Sequence, residues 1–152
     1  MSKKTPKKLE AVRKQYIWGY EDWMLSDLHE EVDKSPLLVK IIKAKENLSV
    51  QVHPGNEYAK EKENSSGKTE MWYVMKAEKN AEIVTGFNRD VTPEEFEKAL
   101  KEKEIESLLN YEKVHDDDVF FIPARRIHAL GAGCMVAEIQ QTSDTSYRVY
   151  DW

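Results

Sequence analysis

The chain has 152 residues, 34% of them charged, a formal net charge of -5 and a mean hydropathy of -0.71. That length suits one hydrophobic core rather than two, and no apolar run approaches the roughly 20 residues that a spanning helix needs. An aromatic content of 10% argues against disorder. Lys and Arg cluster only in the opening MSKKTPKK, so a nucleic-acid or membrane partner has little support.

In chain order, residues 1–15 read as a flexible basic tail, or as a weak contact for an anionic surface, and residues 16–152 as a single domain. A short helix is expected near 21–31. Strands are expected at 37–44 (LLVKIIKA) and 48–54 (LSVQVHP), a short helix at 56–63, and strands at 70–75 (EMWYVM) and 81–87 (AEIVTGF). Thr92, Pro93 and Glu95 form a capping box with proline at the first helical position, which predicts a helix over 93–109 stopped at Asn110. Strands follow at 118–123, 133–141 and 146–152. The class is therefore mainly β, a sandwich or barrel with a small helical insertion at about 92–110. The single cysteine, Cys134, lies in an apolar run, where an inert buried thiol is expected. No signal peptide is visible, so cytoplasm is the expected compartment.

Four segments carry residues suited to chemistry. Side chains alternate across a strand, so Ser49, Gln51 and His53 share a face opposite Leu48, Val50 and Val52. That polar face is either a hydrogen-bonded surface or half of a metal site. Lys68, Glu70 and Trp72 share another face, as a surface ion pair or as part of a site. His128 follows an apolar strand, as a core histidine or a ligand. Glu138 and Gln140 sit in an apolar strand, where a buried carboxylate needs a cation. Together Gln51, His53, Glu70 and His128 are a two-nitrogen, two-oxygen set that suits zinc, or Fe, Co or Mn with less preference. His29 and His115 stand in charged surroundings and read as solvated.

PLLVKIIKAKENLSVQVHP, GKTEMWY, DVFFIPARRIHALGAG and EIQQTSDTSYRVYDW resemble the type I mannose-6-phosphate isomerases, and YIWGYEDWMLS resembles the opening of that family's short bacterial branch. The resemblance implies a cupin-type jelly-roll sandwich with one Zn2+, which interconverts mannose 6-phosphate and fructose 6-phosphate through an enediol. It carries the metal ligands to Gln51, His53, Glu70 and His128, and catalytic roles to Lys68, Glu138 and Arg148. Glu138 is the first candidate for the base, with Lys68 or water on the ion as rivals. Arg148 would hold an anionic oxygen of the enediolate or the phosphate. Ser49 and Arg126 are the expected substrate contacts.

The resemblance has gaps. The stretch between residues 32 and 35 is short where family members carry more chain, and the family runs on past the point corresponding to Trp152. The family pattern has glycine where this chain has Asp117 and Arg125. An arginine in a left-handed turn would be strained. Arg125 and Arg126 read either as a phosphate-binding pair or as solvated loop arginines. The competing function is a non-catalytic cupin that binds a metal or a sugar phosphate. Exposed strand edges leave room for a homodimer.

Overall fold

A computed structural model describes residues 8–26 and 35–152. Residues 1–7 of the expected tail, residues 27–31 of the expected helix at 21–31, and His29 lie outside the described residues. The elements are β1 (Val12–Tyr16), β2 (Gly19–Leu25), β3 (Leu37–Ala44), β4 (Val50–Val52), α1 (Asn56–Lys62), β5 (Glu70–Ala77) and β6 (Glu82–Phe87). They continue with α2 (Pro93–Glu102), a 3-10 turn (Ile105–Leu108), β7 (Leu109–Lys113), β8 (Val119–Ile122), β9 (His128–Leu130), β10 (Cys134–Gln141) and β11 (Tyr147–Tyr150). One sheet has the order β1-β2-β3-β10-β5-β8 and the other β11-β4-β9-β6-β7. Their strand pairs are antiparallel. This is the mainly-β, cupin-type sandwich expected from the motifs. No helix among the described residues is long and apolar enough to cross a membrane.

The alternation in β3 and β10 builds the interior. Leu38, Lys40, Ile42 and Ala44 are buried on one face of β3, and Cys134, Val136, Glu138 and Gln140 on one face of β10. Register then sorts them into rows. Ile42, Val136 and Val74 stand side by side, Lys40, Glu138 and Trp72 form the next row, and Leu38, Gln140 and Glu70 the next. Towards Ile42 and Val136 the interior is an apolar core, closed from the other sheet by Ile83 and Leu130. Each such side chain contributes about 1.5–3 kcal/mol through burial. Towards Glu138 and Glu70 the same faces become polar. The fold thus brings charged residues inside without breaking the alternation of any strand.

Two expectations are corrected near the start of the chain. Residues 21–25 belong to strand β2, not to a helix, because Gly19, Glu21 and Trp23 are buried while Tyr20 and Asp22 are less so, a period of two. Val12–Tyr16, of which residues 12–15 fall in the expected tail, pairs with β2, and Arg13 holds Asp22 through two bonds of 2.6 Å. A third correction concerns α2. Its capping box forms as expected, with Glu95 N–H donating to Thr92 Oγ1 at 3.2 Å and Thr92 N–H donating to Glu95 Oε2 at 2.9 Å. The helix stops at Glu102, however, with Lys103 left-handed at φ 59°. Residues 105–108 tighten into the 3-10 turn, and Asn110 lies in β7 rather than ending a helix.

Candidate metal centre

His53 follows β4, Glu70 opens β5 and His128 opens β9, so three segments converge at one end of the sandwich. One ligand-type atom from each lies within 4.8 Å of the others, and all three residues are buried. His53 Nε2 is 3.2 Å from Glu70 Oε1, and His128 Nε2 is 3.7 Å from Glu70 Oε2. The far side of each ring fixes its proton. His128 Nδ1 lies 2.8 Å from the Arg126 carbonyl, which can only accept, so Nδ1 carries the hydrogen. His53 Nδ1 faces the Thr145 carbonyl and the Ser146 hydroxyl, each at 3.2 Å. Both Nε2 atoms therefore turn lone pairs toward a carboxylate, an arrangement that suits a cation between them.

The electrostatics point the same way. Burial pushes the His128 pKa down to about 4, so the ring is a neutral donor at pH 7. Burial raises the Glu70 pKa, but Lys68, His53 and His128 pull it down further, and the net shift is well below the usual carboxylate range. Lys68 supplies a positive charge, with Nζ 2.9 Å from Glu70 Oε1 and 3.3 Å from His53 Nε2. Even so, Glu70 Oε2 and His128 Nε2 have no hydrogen-bond partner among the described residues. Two imidazoles and a carboxylate with orphaned donor atoms fit a zinc-type ion. Gln51 stands opposite His128 in the β4–β9 register, on the same face, where its amide oxygen can supply a fourth donor.

A second charged cluster lies alongside. Lys40 Nζ is 3.0 Å from Glu138 Oε1 and 3.6 Å from Glu21 Oε1, and all three side chains are buried. Trp72 Nε1 donates to Glu138 Oε2 at 2.9 Å, and Trp23 Nε1 donates to Glu21 Oε2 at 2.7 Å. Burial lowers the Lys40 pKa, but Glu138 and Glu21 outweigh it and hold the ammonium charged. Both clusters border a cavity of about 250 Å3, walled by Ser49, Gln51, Lys68, Trp72, Glu138 and Arg148 among others. His53, Glu70 and His128 sit behind Lys68 and Gln51 rather than on the wall. Arg148 stands at the rim, mostly exposed and 3.7 Å from Asp151.

No protein-family model matches the chain. It is 43% identical over 137 residues to the mannose-6-phosphate isomerase ManA of Bacillus subtilis, covering 90% of this chain and 42% of that protein. The solved structure of the Bacillus subtilis mannose 6-phosphate isomerase superposes with a TM-score of 0.87 at 30% identity, over 95% of this chain and 60% of the other. The chain is a relative of the mannose-6-phosphate isomerases. It spans about two fifths of the length of the curated relative. A mannose 6-phosphate isomerase bound with zinc and yttrium shares the fold, with a TM-score of 0.56 and 18% identity over 76% of this chain and 50% of the other.

Against the isomerase pattern, the structure brings Ser49, Gln51, Lys68, Glu138 and Arg148 to one cavity and sets His53, Glu70 and His128 behind it. Arg126, expected as a substrate contact, stands apart from that cavity. Its carbonyl is turned inward to His128, and its guanidinium lies outside, over Gly86. Asp117 and Arg125, at the family's glycine positions, are left-handed with φ of 73° and 74°. The turn geometry is thus kept with side chains that strain it. The sequence reading missed Lys40 and Glu21. The signal was present in LLVKIIKA, where Lys40 is in phase with the buried Leu38, Ile42 and Ala44. A lysine on the apolar phase of a strand requires an internal anion.

Proposed function

We propose that this chain is a metal-dependent aldose–ketose isomerase acting on mannose 6-phosphate and fructose 6-phosphate, with zinc held by His53, Glu70, His128 and Gln51. What carries this reading is a single cavity that holds Lys68, Glu138 and Arg148 in front of a buried His–Glu–His cluster, in a chain similar to named isomerases. The ion, when bound, supplies Lewis-acid polarisation of the carbonyl. The chain's own residues do the rest. Lys40 and Trp72 hold the Glu138 carboxylate at a fixed place on the wall, suited to taking a proton from C2 and returning it to C1. The hydroxyl proton passes between the two oxygens in the same step, so no oxidant is needed. The Lys68 ammonium faces the charge that develops on oxygen. Arg148, at the rim with Ser49 nearby, suits the phosphate.

One observation favours a metal- or sugar-phosphate-binding cupin without catalysis: both Glu138 oxygens are already engaged, by Lys40 and by Trp72. A coupled assay of fructose 6-phosphate formation separates the two readings. Catalysis requires a rate from mannose 6-phosphate that falls about 10²–10⁴-fold in Glu138→Gln. Equal rates for the two proteins would remove the isomerase reading and leave the binder.

A further inference from the structure

Arg125 and Arg126, on the turn after β8, line an open cleft of about 780 Å3 with Arg89, Asn110, Asp90 and Glu112. No residue of this cleft borders the cavity before the metal centre. A cluster of guanidiniums on one face is notable in a chain of net charge -5. Arg89 is held by Glu95 at 3.0 Å, and Glu112 accepts from Asn110 Nδ2 at 3.1 Å. The Arg125 and Arg126 guanidiniums have no ion pair or hydrogen bond to another described residue.

The turn that carries them is pinned. Arg125 N–H donates to the His53 carbonyl at 2.7 Å, Arg126 N–H to the Pro123 carbonyl at 3.2 Å, and the Arg126 carbonyl accepts from His128 at 2.8 Å. Arg125 keeps φ at 74° in spite of its side chain, and such outliers persist only where the surroundings over-determine them. The Arg126 guanidinium passes close over Gly86, where a Cβ would stand 3.6 Å from Nη1. Both cations are therefore mounted on a rigid backbone, and binding an anion orders little further chain. Planar guanidinium donors match phosphoryl oxygens, while Asp90 and Glu112 offer acceptors for hydroxyl groups.

We propose that this cleft is a second anion site, separate from the cavity, that takes a hydroxyl-bearing phosphomonoester through Arg125 and Arg126. The test is a titration of the full chain with inorganic phosphate, followed by amide chemical shifts at constant ionic strength set with chloride. The expected result is saturable shifts at Gly86, Asn110 and Arg126. Arg125→Met and Arg126→Met should each weaken binding about tenfold, the scale of one charge-assisted hydrogen bond. Arg148→Met should leave it unchanged, which separates the cleft from the cavity. The variants' own spectra report whether they fold. The proposal is overturned if shifts are absent, follow chloride alone, are confined to Ser49 and Arg148, or persist at full affinity in both cleft variants.

Discussion

Two buried charge clusters stand side by side in this sandwich, and they solve the same problem differently. Glu21, Lys40 and Glu138 neutralise one another, and each carboxylate also accepts an indole N–H. That cluster is closed. Around Glu70, the Lys68 ammonium offsets the carboxylate and reaches the His53 Nε2 lone pair, but the His128 Nε2 lone pair has no proton to meet, and Glu70 Oε2 and His128 Nε2 stay unpartnered. That cluster is open to a cation. Burial of charge alone does not mark a metal site; neutral donors with their lone pairs aimed inward do.

The sharpest way to break this comparison is to remove the internal cation from each cluster. Lys40→Met leaves two buried carboxylates unpaired and should cost about 3–5 kcal/mol, read by urea unfolding. The cost should be the same with and without added zinc, because the cluster offers two carboxylates and no imidazole, a poorer donor set for zinc than the His–Glu–His group. Rescue by zinc would show that the closed cluster also binds metal. Lys68→Met should cost a similar amount in metal-stripped protein. With zinc present its cost should fall by at least half, on the order of 2 kcal/mol, since the ion takes over the charge of Glu70. An unchanged cost would mean that Glu70 depends on Lys68 alone.

Smaller changes sharpen the picture. Trp72→Phe removes the N–H that holds Glu138 Oε2 and should cost about 1–3 kcal/mol, with metal stoichiometry unaffected. Arg125→Gly relaxes a left-handed arginine while keeping its N–H on the His53 carbonyl. A gain of about 1 kcal/mol in unfolding free energy, read as a higher denaturation midpoint, is expected, and a loss would mean that the side chain contributes contacts outweighing the strain.

How much of this was legible in the sequence depended on the kind of signal. The strands from β3 onward with long Val/Ile/aromatic runs declare themselves by alternation, and the helix at Pro93 by its capping box. β2 was hidden because GYEDWMLSDLHEE carries its acids in a spacing that also suits a helix; only pairing with β1 and β3 settles the period. β9 spans Ala129 and its neighbours, and is too short to show any period. His53, Glu70 and His128 could be grouped because each is a ligand type beside a strand. Their convergence depends on sheet order, which local pattern does not encode. The place of Arg126, off the cavity wall, was hidden for the same reason: adjacency to His128 in sequence says nothing about the side of the turn on which a side chain leaves. Lys40 was overlooked although its phase in β3 exposed it, because a lone lysine in an apolar run reads as tolerated rather than required.

The most direct test of the open cluster is elemental analysis of protein purified without chelator, on the wild type and on His128→Ala in parallel. The expected result is about one equivalent of zinc or another divalent transition metal per chain in the wild type, lost in the variant. Less than about a tenth of an equivalent in the wild type after loading with zinc would contradict a metal centre at His53, Glu70 and His128.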